Sequence, residues 1–199
     1  MIEMNKIIEQ KLNRFKAKKL KSHESILFKN KLKREAKLRM VNKPDYPGWI
    51  AGFTDGEGCF SVSFTKRAKS NVGVEVRPSF SIGQKASSEE SLRKIKDYFN
   101  CGGIRYSKKD GLFKYEVRNL TDIVDKIIPF FEKHPLETNK KNDFKTFAEV
   151  CKSMKQGHHL NTEGVKEIMD KSFKMNETGK RKNTYEELIV QIKNKSKEN

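Results

Sequence analysis

Two stretches of this chain alternate apolar and polar residues without a break. The first is Phe60-Ser61-Val62-Ser63-Phe64-Thr65 and the second is Val74-Glu75-Val76-Arg77-Pro78-Ser79-Phe80-Ser81-Ile82. Successive strand side chains point to opposite faces, so this period commits each stretch to a half-buried strand. The basic polar loop from Lys66 to Gly73 joins them, and the pair reads as a long hairpin. One face is expected to be apolar: Phe60, Val62, Phe64, Val74, Val76, Phe80 and Ile82. The other presents Ser61, Ser63, Thr65, Glu75, Arg77, Ser79 and Ser81. Pro78 falls on the apolar set and has no amide hydrogen, so its amide side should be unpaired or bulged.

Helical spacing surrounds this hairpin. Ser87 or Ser88 can cap a helix through Glu89 to Phe99, with Leu92, Ile95, Tyr98 and Phe99 on one side, ended by Cys101-Gly102-Gly103. A shorter hairpin follows, Ile104 to Ser107 and Leu112 to Val117, turning at Lys109-Asp110-Gly111. Asn119 or Thr121 starts a helix with Ile123, Val124, Ile127 and Ile128 apolar. Thr138 opens another, to about Lys155, and Thr162 one more, to Met175. A last helix is expected around Tyr185 to Ile192. The class is α+β, in the order αββαββα plus C-terminal helices. Pro44, Pro47 and Gly48 break the chain, so the compact domain is expected from 46 to 175. Residues 1–45 form a basic extension, helical or partly disordered, and 176–199 a polar, lysine-rich tail with a helix in it.

The charge narrows the partners. The 199 residues carry a formal net charge of +17. Residues 1–45 hold 14 Lys+Arg against 5 Asp+Glu, so just over half the excess lies in less than a quarter of the chain. A polyanion is the first partner such a balance suggests, because neutralising phosphates releases their counterions. The extension is expected to add phosphate contacts of that kind. No apolar run approaches the ~18 residues of a membrane span, and the N-terminus has no apolar signal region. Three cysteines, odd in number and without a C-x-x-C pair, argue against a disulfide framework or a cysteine zinc site. His158-His159 is a poor metal pair, since adjacent helical residues point about 100° apart. The expected setting is an organelle or a bacterial cytoplasm, not a secreted one.

Between Pro47 and the first strand lies Gly48-Trp49-Ile50-Ala51-Gly52-Phe53-Thr54-Asp55-Gly56-Glu57-Gly58. As a short helix it is unusual, because each interior glycine costs up to ~1 kcal/mol relative to alanine. Gly52 and Gly56 stand four apart and stack on one face, with Ala51 adjacent, so two backbones could approach closely there. Asp55 and Glu57 lie at the helix end, where the dipole disfavours carboxylates. Acids placed there need a compensating partner, and a divalent cation is the natural one.

The segment resembles the LAGLIDADG motif of homing endonucleases, with Ile50-Ala51-Gly52-Phe53-Thr54-Asp55-Gly56-Glu57-Gly58 in its nine positions. Thr54 is a mild departure; glycine in the seventh place and glutamate in the eighth are normal variants. The αββαββα order is that family's core. The resemblance also matches a glutamine ending the second strand to Gln84, and a lysine beyond Pro135-Leu136 to Lys140, with Lys141 as the alternative register. A basic residue expected near Ser88 is absent, and Lys85 is its nearest substitute.

The resemblance implies a Mg²⁺-dependent double-strand DNA endonuclease, encoded in an intron and cutting a long pseudopalindromic target. A single motif implies a homodimer joined through Ala51, Gly52, Asp55 and Gly56. Glu57 would bind the metal, Lys140 would stabilise charge or polarise water, and Gln84 would position water; Glu57, Gln84 and Lys140 are the catalytic set. Asp55 is better suited to cap or orient the helix end than to bind metal. A two-stranded ribbon fits the major groove. The expected DNA contacts are therefore Ser61, Ser63, Thr65, Arg67, Glu75, Arg77, Ser79, Ser81 and Lys85, with Arg105, Ser107, Lys114 and Glu116 from the second hairpin. Arg77 and Arg105 are the first choices for guanine. Lys66, Lys69, Lys108 and Lys109 are expected to hold phosphates. Two rival readings share the fold: an RNA maturase assisting group I intron splicing, which could dispense with Glu57, and a non-catalytic DNA-binding regulator.

Overall fold

The computed structural model describes Ile26, Asn30 and residues 45–108, 110–176 and 181–198. Two compact units divide the chain, Met1–Asp45 and Tyr46–Asn199. Ile26 and Asn30 are helical. The expectation of basic helices elsewhere in residues 1–44 lies outside the described residues.

The second unit opens with helix α1, Tyr46–Glu57. Pro47 sits in its first turn, where a missing amide hydrogen costs nothing. Ile50, Ala51 and Thr54 form its buried side. Gly58 then turns the chain into β1 (Gly58–Lys66), and only glycine fits there: a Cβ would lie 2.5 Å from Thr54 Cγ2 and 2.6 Å from Thr54 O. β2 (Val74–Gln84) returns antiparallel in unbroken register, Gly58 opposite Ile82 and Lys66 opposite Val74. Val62 faces Pro78 without a bulge. The second neighbour of β2 starts pairing only at Phe80, so the proline sits where one ladder alone has formed.

Helix α2 (Glu89–Phe99) ends on Asn100 in the left-handed region (φ 47°), one residue earlier than the glycines suggest. Strands β3 (Gly103–Ser107) and β4 (Leu112–Val117) form the second hairpin. The sheet order is β1-β2-β4-β3, all antiparallel. Helices α3 (Leu120–Asp122) and α4 (Ile128–Lys133) are joined by a π turn, Ile123–Ile127. The cause is Pro129, which has no amide hydrogen and crowds the carbonyl four residues back; a wider turn accommodates it. Asn119 caps α3, its side chain accepting from Asp122 N at 3.0 Å. α5 (Lys140–Lys155) and α6 (Thr162–Ser172) follow. His158–Leu160 forms a 3₁₀ turn between them, with His158 Nδ1 3.0 Å from Ser153 Oγ.

The helices cover one face of the sheet. Phe60 is at the centre, its ring 5.1 Å from Phe80, 5.3 Å from Phe131, 5.2 Å from Phe144 and 5.4 Å from Phe147. Leu92, Ile95, Ile127 and Cys151 complete the same core. Among the described residues, no helix covers the opposite, polar face of the sheet.

The C-terminal segment is more than a polar tail. Helix α7 (Tyr185–Glu198) runs past the expected Ile192 and buries Leu188 and Ile192 in the core. The chain before it lies along the free edge of β1. Asn176 Nδ2 donates to Phe60 O (2.8 Å), Arg181 to Val62 O (3.1 Å) and Asn183 Nδ2 to Phe64 O (2.9 Å). Three side chains thus stand where a neighbouring strand would donate, which closes the edge. Among the described residues, no helix is long and apolar enough to cross a membrane.

Candidate nucleic-acid interface

Pairing register decides which side chains share the open face. Ser61 opposes Ser79, Ser63 opposes Arg77 and Thr65 opposes Glu75. Ser81 opposes Glu116, and Arg105 opposes Lys114. Ser61, Ser63, Thr65, Arg77, Ser79 and Ser81 from the long hairpin, and Arg105, Lys114 and Glu116 from the short one, line a single groove. Four expected contacts lie apart from it. Arg67 and Glu75 pair with each other at its end (3.1 Å), and Lys85 is exposed beyond β2. Ser107 differs from the expectation: it is 9% exposed, with its hydroxyl donating to Asp110, because the tight turn folds over it. Of the loop lysines, Lys66 pairs with Glu187 at 3.5 Å, Lys69 and Lys108 are exposed, and Lys109 lies outside the described residues.

Two carboxylates organise the guanidinium groups of this face. Glu116 accepts from Arg105 Nε (2.9 Å), Arg118 (3.0 Å) and Ser79 Oγ (3.0 Å). Burial pushes its carboxyl pKa up, but the bonds from Arg105 and Ser79 and the charge of Arg118 outweigh burial and hold it below the ordinary value. Glu75 is likewise lowered, chiefly by the hydrogen bond from Arg77 (2.8 Å). Lys114 pairs with Asp110. Arg118, also in the groove, was not among the expected contacts. The alternation of Lys114 and Glu116 carried one step past the strand end would have found it.

At one end of the groove the motif helix meets the sheet. Glu57 is the exposed last residue of α1. The β1–β2 ladder begins at the next residue, with Gly58 opposite Ile82, so Gln84, the last residue of β2, lies at the same end of the sheet. Lys140 reaches that end from α5, its Nζ donating to Thr54 O at 3.0 Å. Lys140 is half-buried while Lys141 is exposed, so Lys140 is the lysine that touches the motif helix. Asp55 faces inward. Its Oδ2 accepts from Glu137 N and Thr138 N, both at 2.9 Å, and its Oδ1 from Thr138 Oγ1 at 2.5 Å. Burial raises the Asp55 pKa, but these bonds and the Lys140 charge reverse the effect, leaving it below the usual carboxylate value.

Gly52 and Gly56 point to open space: a Cβ on either meets nothing within 4 Å. Trp49, 39% exposed, stacks on Phe53 at 5.2 Å along the same side of the helix. Ala51 does not share that face; it is buried within the chain. Cys59 is exposed on the groove side, yet desolvation by surrounding protein raises its thiol pKa, so it stays a neutral thiol. Among the described residues, no group of three His, Cys, Asp or Glu side chains could hold a metal by itself.

Comparison with known proteins shows the family. Residues 50–151 match the family model described as LAGLIDADG endonuclease. The chain belongs to the LAGLIDADG endonuclease family. The motif is Ile50 to Gly58, and the matched span runs from its start to Cys151 in α5. A probable intron-encoded endonuclease of Neurospora crassa is 33% identical over 131 residues, 65% of this chain and 29% of that protein. The homing endonuclease I-TnaI is 33% identical with a TM-score of 0.65, covering 75% of this chain and 97% of its own. The meganuclease I-SmaMI, bound to uncleavable DNA, is 32% identical with a TM-score of 0.65, covering 70% of this chain and 46% of its own. I-SmaMI is also known bound to cleaved DNA, and to an uncleaved target in the presence of calcium ions. The chain therefore spans about half of I-SmaMI or less than a third of the Neurospora relative, but nearly all of I-TnaI.

Proposed function

We propose that this chain is an intron-encoded, site-specific double-strand DNA endonuclease that acts as a homodimer with Mg²⁺. The observation that carries the reading is the single polar groove across four strands, the first of which begins directly after Glu57 of the motif helix. A curved ribbon of this kind can lie in a major groove, with Arg77, Arg105 and Arg118 offering donors to base edges and the loop lysines holding phosphates. The base-reading arginines stay paired with Glu75 and Glu116 until bases replace those partners.

The donor set suits a metal shared with substrate. Mg²⁺ is commonly held by one or two carboxylates together with phosphate oxygens, and one exposed acid at the helix end, with no cage of side chains among the described residues, meets that need. Glu57 would hold the ion, which when bound supplies charge neutralisation and an activated water at the scissile phosphate. Lys140, at the base of the same helix, would stabilise developing negative charge, and Gln84 would orient water. The motif occurs once in the sequence, and the open face of Gly52 and Gly56 fits a second motif helix from another copy at close approach. Two copies would then bring their Glu57 carboxylates together over a target with matching two-fold symmetry.

The test is cleavage of a plasmid carrying the joined sequences that flank this reading frame's insertion, with Mg²⁺ or with EDTA. A double-strand cut dependent on Mg²⁺ is expected, and its absence would overturn the nuclease reading. Glu57→Gln should keep DNA binding within about threefold and abolish cutting; cutting that survives would remove Glu57 from the metal site. Sedimentation should show two chains per site, and one chain per site would end the homodimer reading.

A further inference from the structure

The motif helix and the segment that enters α5 hold one another. The first turn of a helix leaves amide hydrogens without partners. Here Asn139, at the N-cap of α5, supplies no side-chain bond. The first-turn amides of Lys140, Lys141 and Asn142 bond to Thr138 Oγ1, Thr138 O and Asn139 O, and the Asp55 carboxylate, from a distant part of the chain, holds the segment that supplies those acceptors through Glu137 N, Thr138 N and Thr138 Oγ1. In return, the Lys140 ammonium binds Thr54 O, one of the last carbonyls of α1. Each charge stands at the helix end that favours it, a carboxylate before the N-terminus of α5 and an ammonium at the C-terminus of α1. Thr138 Oγ1 links the halves: it donates to Asp55 and accepts from Lys140 N at 3.3 Å.

A lysine carries a point charge on a flexible four-carbon stem, so where the ammonium rests depends on where its backbone is held. Lys140 is the first residue of α5. The start of α5 is tied to the motif helix through Asp55, two residues before Glu57. We propose that Asp55 is a positioning residue for the reaction: by anchoring Glu137 and Thr138 it sets Lys140 at a fixed place relative to the Glu57 end of the motif helix. This inference rests on the reading of Lys140 as the active-site lysine. Asp55 itself needs no contact with metal or DNA, and its two oxygens are already occupied by donors of its own chain.

The experiment measures single-turnover cleavage of the plasmid defined above with Mg²⁺, DNA affinity in EDTA, and thermal unfolding, all on the full chain. Asp55→Asn and Thr138→Val are each expected to slow cutting about tenfold to a hundredfold, as a misplacement of order 1 Å would, with affinity changed less than about threefold. Thr138→Ser keeps the hydroxyl and should cut within about threefold of the native rate. Lys140→Ala should be slower still. Adding Asp55→Asn to Lys140→Ala should slow it no further, because the residue being positioned is gone. A contact with a purely structural role would lower the unfolding temperature, leave the rate of the folded fraction unchanged and show no such coupling. If Lys140→Ala is crippled while Asp55→Asn and Thr138→Val cut normally, or the double variant loses both effects in full, the positioning role is overturned and the Lys140 reading stands. If Lys140→Ala cuts at the native rate, that reading fails and the inference with it. Should Asp55→Asn not fold, the Thr138→Val and Thr138→Ser pair decides the question.

Discussion

Thr54 is fully buried, and its hydroxyl has no hydrogen-bond partner among the described residues, although its carbonyl accepts from Lys140. An unpaired buried hydroxyl costs about 1–3 kcal/mol, and valine has nearly the same shape. Thr54→Val should therefore stabilise the free chain by about 1 kcal/mol, raising its melting midpoint by roughly 2–4 °C; a lower midpoint would mean that the hydroxyl is satisfied after all. Glu116 makes a second prediction at this scale. Its native pKa lies below the ordinary 4.5. Its contribution to stability is full above that value and is lost as pH falls through the depressed native value. Below pH 4.5 the native chain should lose melting temperature faster than Glu116→Gln does, and equal acid sensitivity of the two would remove Glu116 from the acid limb. At this scale the sequence carried the motif acids and the groove's serines and arginines. It did not carry the Glu116 network, because Ser79 and Arg105 come from β2 and β3, which only the sheet brings beside Glu116 and Arg118 at the end of β4.

Among the secondary-structure elements, α1 shows most directly how local stability and assembly oppose each other. Gly52 and Gly56 weaken the helix, yet among the described residues a Cβ on either would meet nothing within 4 Å. Gly56→Ala is expected to stabilise the isolated chain by about 0.5–1 kcal/mol while weakening self-association. Denaturant unfolding and sedimentation of the same sample check the two halves; unchanged association would mean that this face is not used. The contrast with Gly58 is physical, since a Cβ there would strike Thr54, and Gly58→Ala can only destabilise. The hairpins were legible because a period of two has one reading, inside and outside. The start of α5 was less so. Thr138 reads locally as a cap, but its hydroxyl serves Asp55, and the helix begins at Lys140.

For the whole molecule, the C-terminal segment matters more than its composition suggests. Removing residues 177–199 takes Leu188 and Ile192 from the core and uncovers the Val62 and Phe64 carbonyls on the β1 edge. The loss should exceed about 3 kcal/mol, the usual cost of emptying two large apolar sites being higher still. An open edge strand should also promote association. Denaturant titration and light scattering measure both, and a truncated chain as stable and monodisperse as the native one would contradict the packing. Only two of the residues in α7 are apolar and fully buried, too few to mark a core helix by periodicity, and the Asn176, Arg181 and Asn183 clamp joins positions more than a hundred residues from their partners. The sequence alone determined the αββαββα order, the two faces of each hairpin and the motif with its acids, because those rest on local periodicity and on residue types within a few positions. Tertiary structure alone decided the β1-β2-β4-β3 order, the contact of Lys140 rather than Lys141 with the motif helix and the partners of Asp55 ahead of α5. These depend on which distant backbone groups need partners once the chain has closed on itself, and no local pattern encodes that.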